Sequence, residues 1–246
     1  MTRLLAIGAV VGIIMGLWQA LVVLADLPAF ILPSPMRVGQ ALWANAELIA
    51  GHAMVTLTEV LIGLGLGAVL GAVTAIGLAL SPLARLVVRP MMVLSQALPV
   101  FALAPVLTLW LGYGLGPKVI MALLIIYFPV TSAFFDGLMQ TPRGMLDLGR
   151  VMQGRRWQIM RHIRIPAAIP GLASGLRLAA VYAPIGAIIG EWVGASQGLG
   201  YLMLLANGRA KIDLMFAALL VLAVMTLLLH LGVDRLCSYV VRRQER

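Results

Sequence analysis

Long apolar runs dominate this chain, and one strongly polar internal stretch, Thr141–Arg164, interrupts them. A membrane helix needs about 20 apolar residues to cross roughly 30 Å of hydrocarbon. Six runs meet that need: Leu4–Leu24, Ala53–Leu80, Pro90–Leu111, Lys118–Met139, Gly171–Val193 and Leu214–Tyr239. Of the 246 residues, 62% are hydrophobic and 11% charged. A soluble domain is closer to half apolar and a quarter charged. One soluble core cannot hide so much apolar surface, whereas a bilayer can. The expected fold is therefore all-α and polytopic, with about six transmembrane helices in a single membrane domain. No stretch between the runs has room for a soluble domain of about 100 residues.

The run in residues 1–25 is longer than a signal-peptide core, and no small-x-small cleavage pattern follows before Asp26. It reads as a retained first span. Residues 26–51 are not a span. They open with Leu32-Pro33-Ser34-Pro35, where proline holds the chain extended. Met36–Ala50 then places Val38, Leu42, Leu48 and Ile49 among polar residues, the pattern of a short amphipathic helix at the membrane surface. Residues 53–239 form a five-span core, with the polar loop 140–170 inside it.

The net charge of +9 points to the membrane rather than to nucleic acid, because the basic residues sit between apolar runs. With the N-terminus inside, the inner loops hold Arg3, Arg85, Arg89, Arg143, Arg150, Arg155, Arg156, Arg161, Arg164, Arg235, Arg242, Arg243 and Arg246. The outer side holds only Arg37, Lys118, Arg209 and Lys211. The reverse orientation would place thirteen basic residues outside, so both termini are expected inside. One cysteine, Cys237, allows no internal disulfide, and His52, His162 and His230 have no metal-ligand spacing. Neither a metal nor a cofactor is expected.

The spans carry small residues and prolines. Gly63, Gly67 and Gly71 recur at four-residue spacing, with Ala68, Ala72 and Ala75 beside them. Such a face permits close helix approach in lipid. Pro99, Pro105, Pro129 and Pro184 each remove a backbone donor and bend a helix.

The loop reads TPRGMLDLGRVMQGRRWQIMRHIRIPAAIP over Thr141–Pro170. Met145–Met152 and Arg156–Ile163 fit two short helices, with Gly154 between them and Pro166 ending the second. Met145, Leu148, Met152, Trp157, Ile159, Met160 and Ile163 recur among arginines. Apolar side chains on an exposed basic helix pair favour a docked partner. A solvated basic loop fits the composition equally well.

A charge in mid-membrane costs roughly 2.5–3.5 kcal/mol on insertion scales, so it faces protein or a water-filled path. Glu59, Asp136 and Glu191 are the acids so placed, and Tyr127, Tyr182 and Trp192 are nearby aromatics. Together they are candidates for a translocation lining. Each acid also suits a structural role, pairing with an arginine or capping a helix. Asp136 is a candidate partner for Arg177 across helices.

Other patterns carry less. Gly194-Ala195-Ser196-Gln197-Gly198 fits G-x-S-x-G, but a nucleophile elbow needs a strand before it and a partnered histidine. An intramembrane serine protease would need His230 beside Ser196. A secondary transporter would show an inverted repeat, and none is visible. No phosphate loop is present in these residues, so ATP hydrolysis belongs to another chain.

Thr141–Pro170 resembles the EAA loop of importer-type ABC permeases. Asp147 stands at its acid, Leu148 and Gly149 at its alanines, and Ile165-Pro166 at its close. Gln153 occupies the motif's glycine position, with Gly154 one residue later. The resemblance extends over nearly the whole chain. Leu32-Pro33-Ser34-Pro35, His52 with Thr56-Leu57, Pro105–Gly116, and Glu191 with Gly198-Leu199-Gly200 resemble blocks of the nitrate/sulfonate/taurine permease group. Tyr182–Arg209 is similar to permeases for thiamine-precursor pyrimidines. The resemblance implies a type I ABC importer transmembrane-domain fold and a bacterial inner-membrane location. It implies a homodimer with a second permease copy, a cytoplasmic ABC ATPase dimer, and a periplasmic or lipid-anchored solute-binding protein. It assigns ATPase coupling to Asp147, Gly149, Gln153, Gly154, Arg156, Trp157, Ile165 and Pro166. The cargo implied is a small polar solute, a pyrimidine or else a sulfonate, taurine or nitrate. An aminopyrimidine would suit a lining of acids and aromatic faces.

Overall fold

The computed structural model describes residues 2–244, with side chains from residue 8 onward. Arg246 and the side chain of Arg3, both assigned to the inner loops, lie outside the described residues. Eleven α-helices follow one another among the described residues: α1 Thr2–Leu24, α2 Pro35–Ala44, α3 Ala46–Leu80, α4 Pro82–Ala97, α5 Val100–Leu111, α6 Leu115–Met139, α7 Arg143–Val151, α8 Arg156–Ile159, α9 Ile165–Gly194, α10 Leu199–Gly208 and α11 Ile212–Gln244. No strand occurs among the described residues. The all-α expectation holds.

Four helical segments are long and apolar enough to cross a membrane: Ala46–Leu80, Leu115–Met139, Arg156–Gly194 and Ile212–Gln244. The third expected span, Pro90–Leu111, is not one helix. It is the pair α4–α5, bent by 99°. Pro99 causes the break, because its ring holds Leu98 in an extended conformation (φ −79°, ψ 123°). Gly8–Leu24 of α1 is a further apolar helix.

Helix α6 is the centre of the packing, held between α3 and α9. The glycine face of α3 meets it directly. A Cβ on Gly63 would lie 2.7 Å from the Ala122 methyl, one on Gly67 2.8 Å from Ile126, and one on Gly71 2.9 Å from Val130. On the other side, a Cβ on Gly186 would lie 2.5 Å from the Ala122 backbone and one on Gly175 2.9 Å from the Pro129 carbonyl. Lipid tails are as apolar as leucine, so close backbone approach holds such helices together. Val60, Ala122, Ile126, Val130, Ala179, Ala180 and Ala183 fill the seam and are fully or almost fully buried.

The segment after α1 differs in detail from its expected form. The amphipathic helix is α2, capped by the Ser34 hydroxyl with Pro35 in its first turn, and Leu48 and Ile49 already belong to α3. Trp18 Nε1 donates to the Pro33 carbonyl at 3.0 Å, and Arg37 pairs with Asp213 at 3.4 Å. Val38, Ile49, Leu199, Leu202, Leu214 and Ala217 form one apolar cluster, so α2 and α10 pack on the start of α11.

Candidate functional site

The polar loop is built from α7, α8 and a π-helical stretch, Met160–Arg164. Its second helix does not end at Pro166, as expected. Helical geometry runs unbroken from Arg156 to Gly194, 39 residues. Proline lacks an N–H and crowds the carbonyl four residues earlier. The widened π turn before Pro166, where Ile165 N–H reaches the Met160 carbonyl, accommodates both. The second half of the loop, from Arg156, is therefore continuous with the long apolar helix that follows it.

The turn between α7 and α8 stays at the motif's own position. Gln153 adopts a left-handed conformation, φ 57°. That is the usual glycine place after a helix. Gln153 N–H donates to the Arg150 carbonyl at 2.8 Å, and Gly154 N–H to the Gly149 carbonyl at 3.0 Å. The Gly154 requirement is separate and steric, since a Cβ there would lie 2.8 Å from the Gly149 oxygen. Gly149 is buried, and a Cβ on it would lie 2.7 Å from Ile163. Asp147 is exposed and pairs with Arg150 at 2.8 Å. Met145, Leu148, Val151, Met152 and Trp157 remain 52–81% exposed. Arg156 is exposed, and Ile165 and Pro166 are half-buried where the π turn meets α9.

The membrane acids separate into two groups. Glu59 and Glu191 are buried together, with Lys118 beside them. Lys118 Nζ donates to Glu59 Oε1 at 2.6 Å. Glu191 Oε1 accepts from the Thr56 hydroxyl at 2.6 Å, and its other oxygen accepts from the Gly200 N–H. Thr56 Oγ1 accepts from the Leu199 N–H at 2.8 Å, and His52 Nδ1 from the Gly198 N–H at 3.0 Å. These donors are the unpaired amides that open α10. A carboxylate at a helix N-terminus also complements its dipole. Two distant sequence blocks, His52–Thr56 and Glu191–Gly200, thus form one clamp. Glu191 takes the helix-capping role, and Gly198, at φ 115°, leaves no room for a Cβ beside that carboxylate.

Asp136 and Tyr182 line a separate groove of about 620 Å3 with Gln96, Phe128 and Ser132, between α4, α6 and α9. Asp136 does not pair with Arg177. Arg177 Nε donates to Asp234 Oδ1 at 2.6 Å and its Nη2 to the Ser238 hydroxyl at 3.0 Å, because α11 is the helix packed on that face of α9. Tyr127 packs against an apolar cluster with Phe134 and Met92, and Trp192 is 51% exposed. The six candidate lining residues therefore do not share one surface. Ser196 lies in a pocket with Glu59, Lys118 and Tyr113, which His230 does not line. Sequence reasoning missed Lys118 and Asp234 as ion-pair partners. The available signal was a charge within or beside an apolar run facing another of opposite sign.

Residues 63–246 match the family described as binding-protein-dependent transport system inner membrane component. The chain is 48% identical to a probable ABC transporter permease protein of Haemophilus influenzae, over 94% of this chain and 95% of that one. It is 35% identical to the riboflavin transport system permease protein of Chloroflexus aurantiacus, over 87% and 80%. It is 37% identical to the formylaminopyrimidine transport permease protein of Halalkalibacterium halodurans, over 70% and 69%. Permeases for aliphatic sulfonates and taurine match as well. The fold is shared with a chain from the crystal structure of an amino acid ABC transporter with histidines, at a TM-score of 0.66 and 16% identity, covering 83% of this chain and 97% of that one. With its all-helical apolar body, its basic loop and these relatives, the chain belongs to the binding-protein-dependent transport family as the multi-pass permease component of an ABC importer.

Proposed function

We propose that Asp147–Pro166 is the element through which a cytoplasmic ATPase dimer drives this permease. The carrying observation is the unbroken helix from Arg156 to Gly194. Trp157 stands on the same continuous helical segment as α9, so a displacement applied there is passed to α9 and, through the glycine contacts, to α6. The exposed apolar side chains Met145, Leu148, Val151, Met152 and Trp157 form the contact surface. ATP binding closes the ATPase pair, and two permease copies in the bacterial inner membrane turn from inward-facing to outward-facing. Both termini lie in the cytoplasm, six spans cross the membrane, and residues 26–51 and 195–212 receive the periplasmic binding protein. Trp157→Ala with Gly154→Pro is the test. Membrane insertion should persist while co-purification of the ATPase and uptake are lost. Full uptake in that variant refutes the assignment.

The cargo we favour is a thiamine-precursor pyrimidine, passed along the Asp136–Tyr182 groove. A carboxylate accepts from an exocyclic amine, and Phe128 and Tyr182 offer aromatic faces. Identity to the pyrimidine and riboflavin permeases exceeds that to the sulfonate and taurine permeases. A sulfonate, taurine or nitrate cargo is the second reading, supported by family membership alone. Thermal-shift screening of the cognate binding protein against pyrimidines, sulfonates and nitrate separates the two.

A further inference from the structure

Between the end of α3, the start of α4 and the coupling loop lies a cavity of about 430 Å3. Arg85, Arg150, Arg156 and Arg164 line it together with Pro82 and Gly154, and no acidic residue does. Among the described residues Arg85, Arg156 and Arg164 have no carboxylate partner. Asp147 holds only Arg150. Arg164 has Arg85 and Arg150 as its charged neighbours. The Nε of Arg85 is buried without a hydrogen-bond partner. A buried donor left unmade is costly, and like charges around one cavity repel. Both costs vanish when an anion with several acceptor oxygens enters, and the planar guanidinium fork suits phosphate best.

The surroundings select the source of that phosphate. Pro82 opens α4, and Leu83, Leu86 and Val87 of the same helix are 51–74% exposed. The helix that carries Arg85 therefore also presents exposed apolar side chains that acyl chains can cover. A free anion needs no such surface, and an acidic protein segment would leave it bare.

We propose that this cavity is a site for the phosphate headgroup of an acidic phospholipid, held by Arg85 and Arg164 behind the coupling loop. It rests on the inward orientation of that loop. A bound headgroup ties the loop to the membrane surface and sets the position of the turn at Gln153–Gly154.

The intact chain, purified with its ATPase, is tested by native mass spectrometry after exchange into mixed micelles of phosphatidylglycerol, cardiolipin and phosphatidylcholine. Wild type should retain phosphatidylglycerol or cardiolipin over phosphatidylcholine. Arg85→Gln with Arg164→Gln should lower that retention about tenfold or more. Arg143→Gln, on the same loop but outside the cavity, should not change it. The double lysine variant, which keeps both charges, should retain more lipid than the double glutamine variant and guards against loss of fold. Absence of a lipid preference in wild type overturns the proposal, as does equal retention in the glutamine variant. Displacement of the lipid by millimolar inorganic phosphate alone overturns the lipid as the source. Loss of the ATPase with unchanged lipid assigns the arginines to the ATPase contact instead. Failure of the coupling assignment would appear instead as ATPase and uptake retained by Trp157→Ala with Gly154→Pro, a result that leaves the lipid measurement untouched, so the two are distinguishable.

Discussion

Lys118 Nζ donates to Glu59 Oε1 at 2.6 Å, and the two side chains are 7% and 0% exposed. The pair joins the start of α6 to α3 at the end where α10 is clamped. Among the described residues, the second oxygen of Glu59 has no hydrogen-bond partner. Breaking such a pair on one side leaves an uncompensated buried charge, which costs roughly 3–5 kcal/mol. Lys118→Met alone should therefore lower the melting temperature of the purified transporter sharply. Lys118→Met with Glu59→Leu should recover most of the loss, since both charges are then gone. A double variant as unstable as the single would show that the pair is not isolated from its neighbours.

Glu191 holds the first turn of α10 through Thr56 and the Gly200 amide. Glu191→Ala should cost about 1.5–3 kcal/mol for each charged hydrogen bond lost, and should expose residues 195–199 to proteolysis. Gly198→Ala should act in the same direction, because its Cβ would meet the Glu191 carboxylate. Rates of limited proteolysis in detergent measure both. An unchanged cleavage pattern in Glu191→Ala would remove the clamp from the account.

Gln153 carries a left-handed backbone at the turn of the polar loop, between α7 and α8. That conformation costs a non-glycine residue roughly 1–2 kcal/mol. Gln153→Gly should therefore stabilise the loop or leave it unchanged, and uptake should persist. Gly154→Ala should do the reverse, through contact with the Gly149 carbonyl. Comparing melting temperature and uptake for the two variants separates backbone strain from steric room.

Asp234 makes the Arg177 pairing that was expected of Asp136. Asp234 is 43% and Arg177 32% exposed, so Asp234→Asn should cost under about 1 kcal/mol. Asp136→Asn should leave stability unaltered and reduce uptake, because its carboxylate lines the groove without an ion-pair partner. Equal uptake by Asp136→Asn and wild type would remove that groove from the transport path.

The amino-acid sequence was sufficient for an all-helical membrane protein with a polar loop between apolar runs. Apolar runs of bilayer length and arginines between them are local properties, and no tertiary contact overrides them. The glycine face of α3 was equally legible, because four-residue spacing places Gly63, Gly67 and Gly71 on one side whatever lies opposite. The break at Leu98 was only partly visible. Pro99 announced a bend, but the 99° angle depends on how α4 and α5 pack.

Only the tertiary structure decided which charges meet. Glu191 and Gly200 are neighbours in sequence, yet Thr56 reaches them from another helix, and Glu59 finds Lys118 rather than an arginine. Ion pairs across helices depend on relative depth and rotation, which local pattern does not encode. The polar loop shows both sides of this division. Its basic and apolar composition was written in the sequence. Its unbroken continuation into α9 was not, because proline ordinarily stops a helix and here a π turn makes room for it.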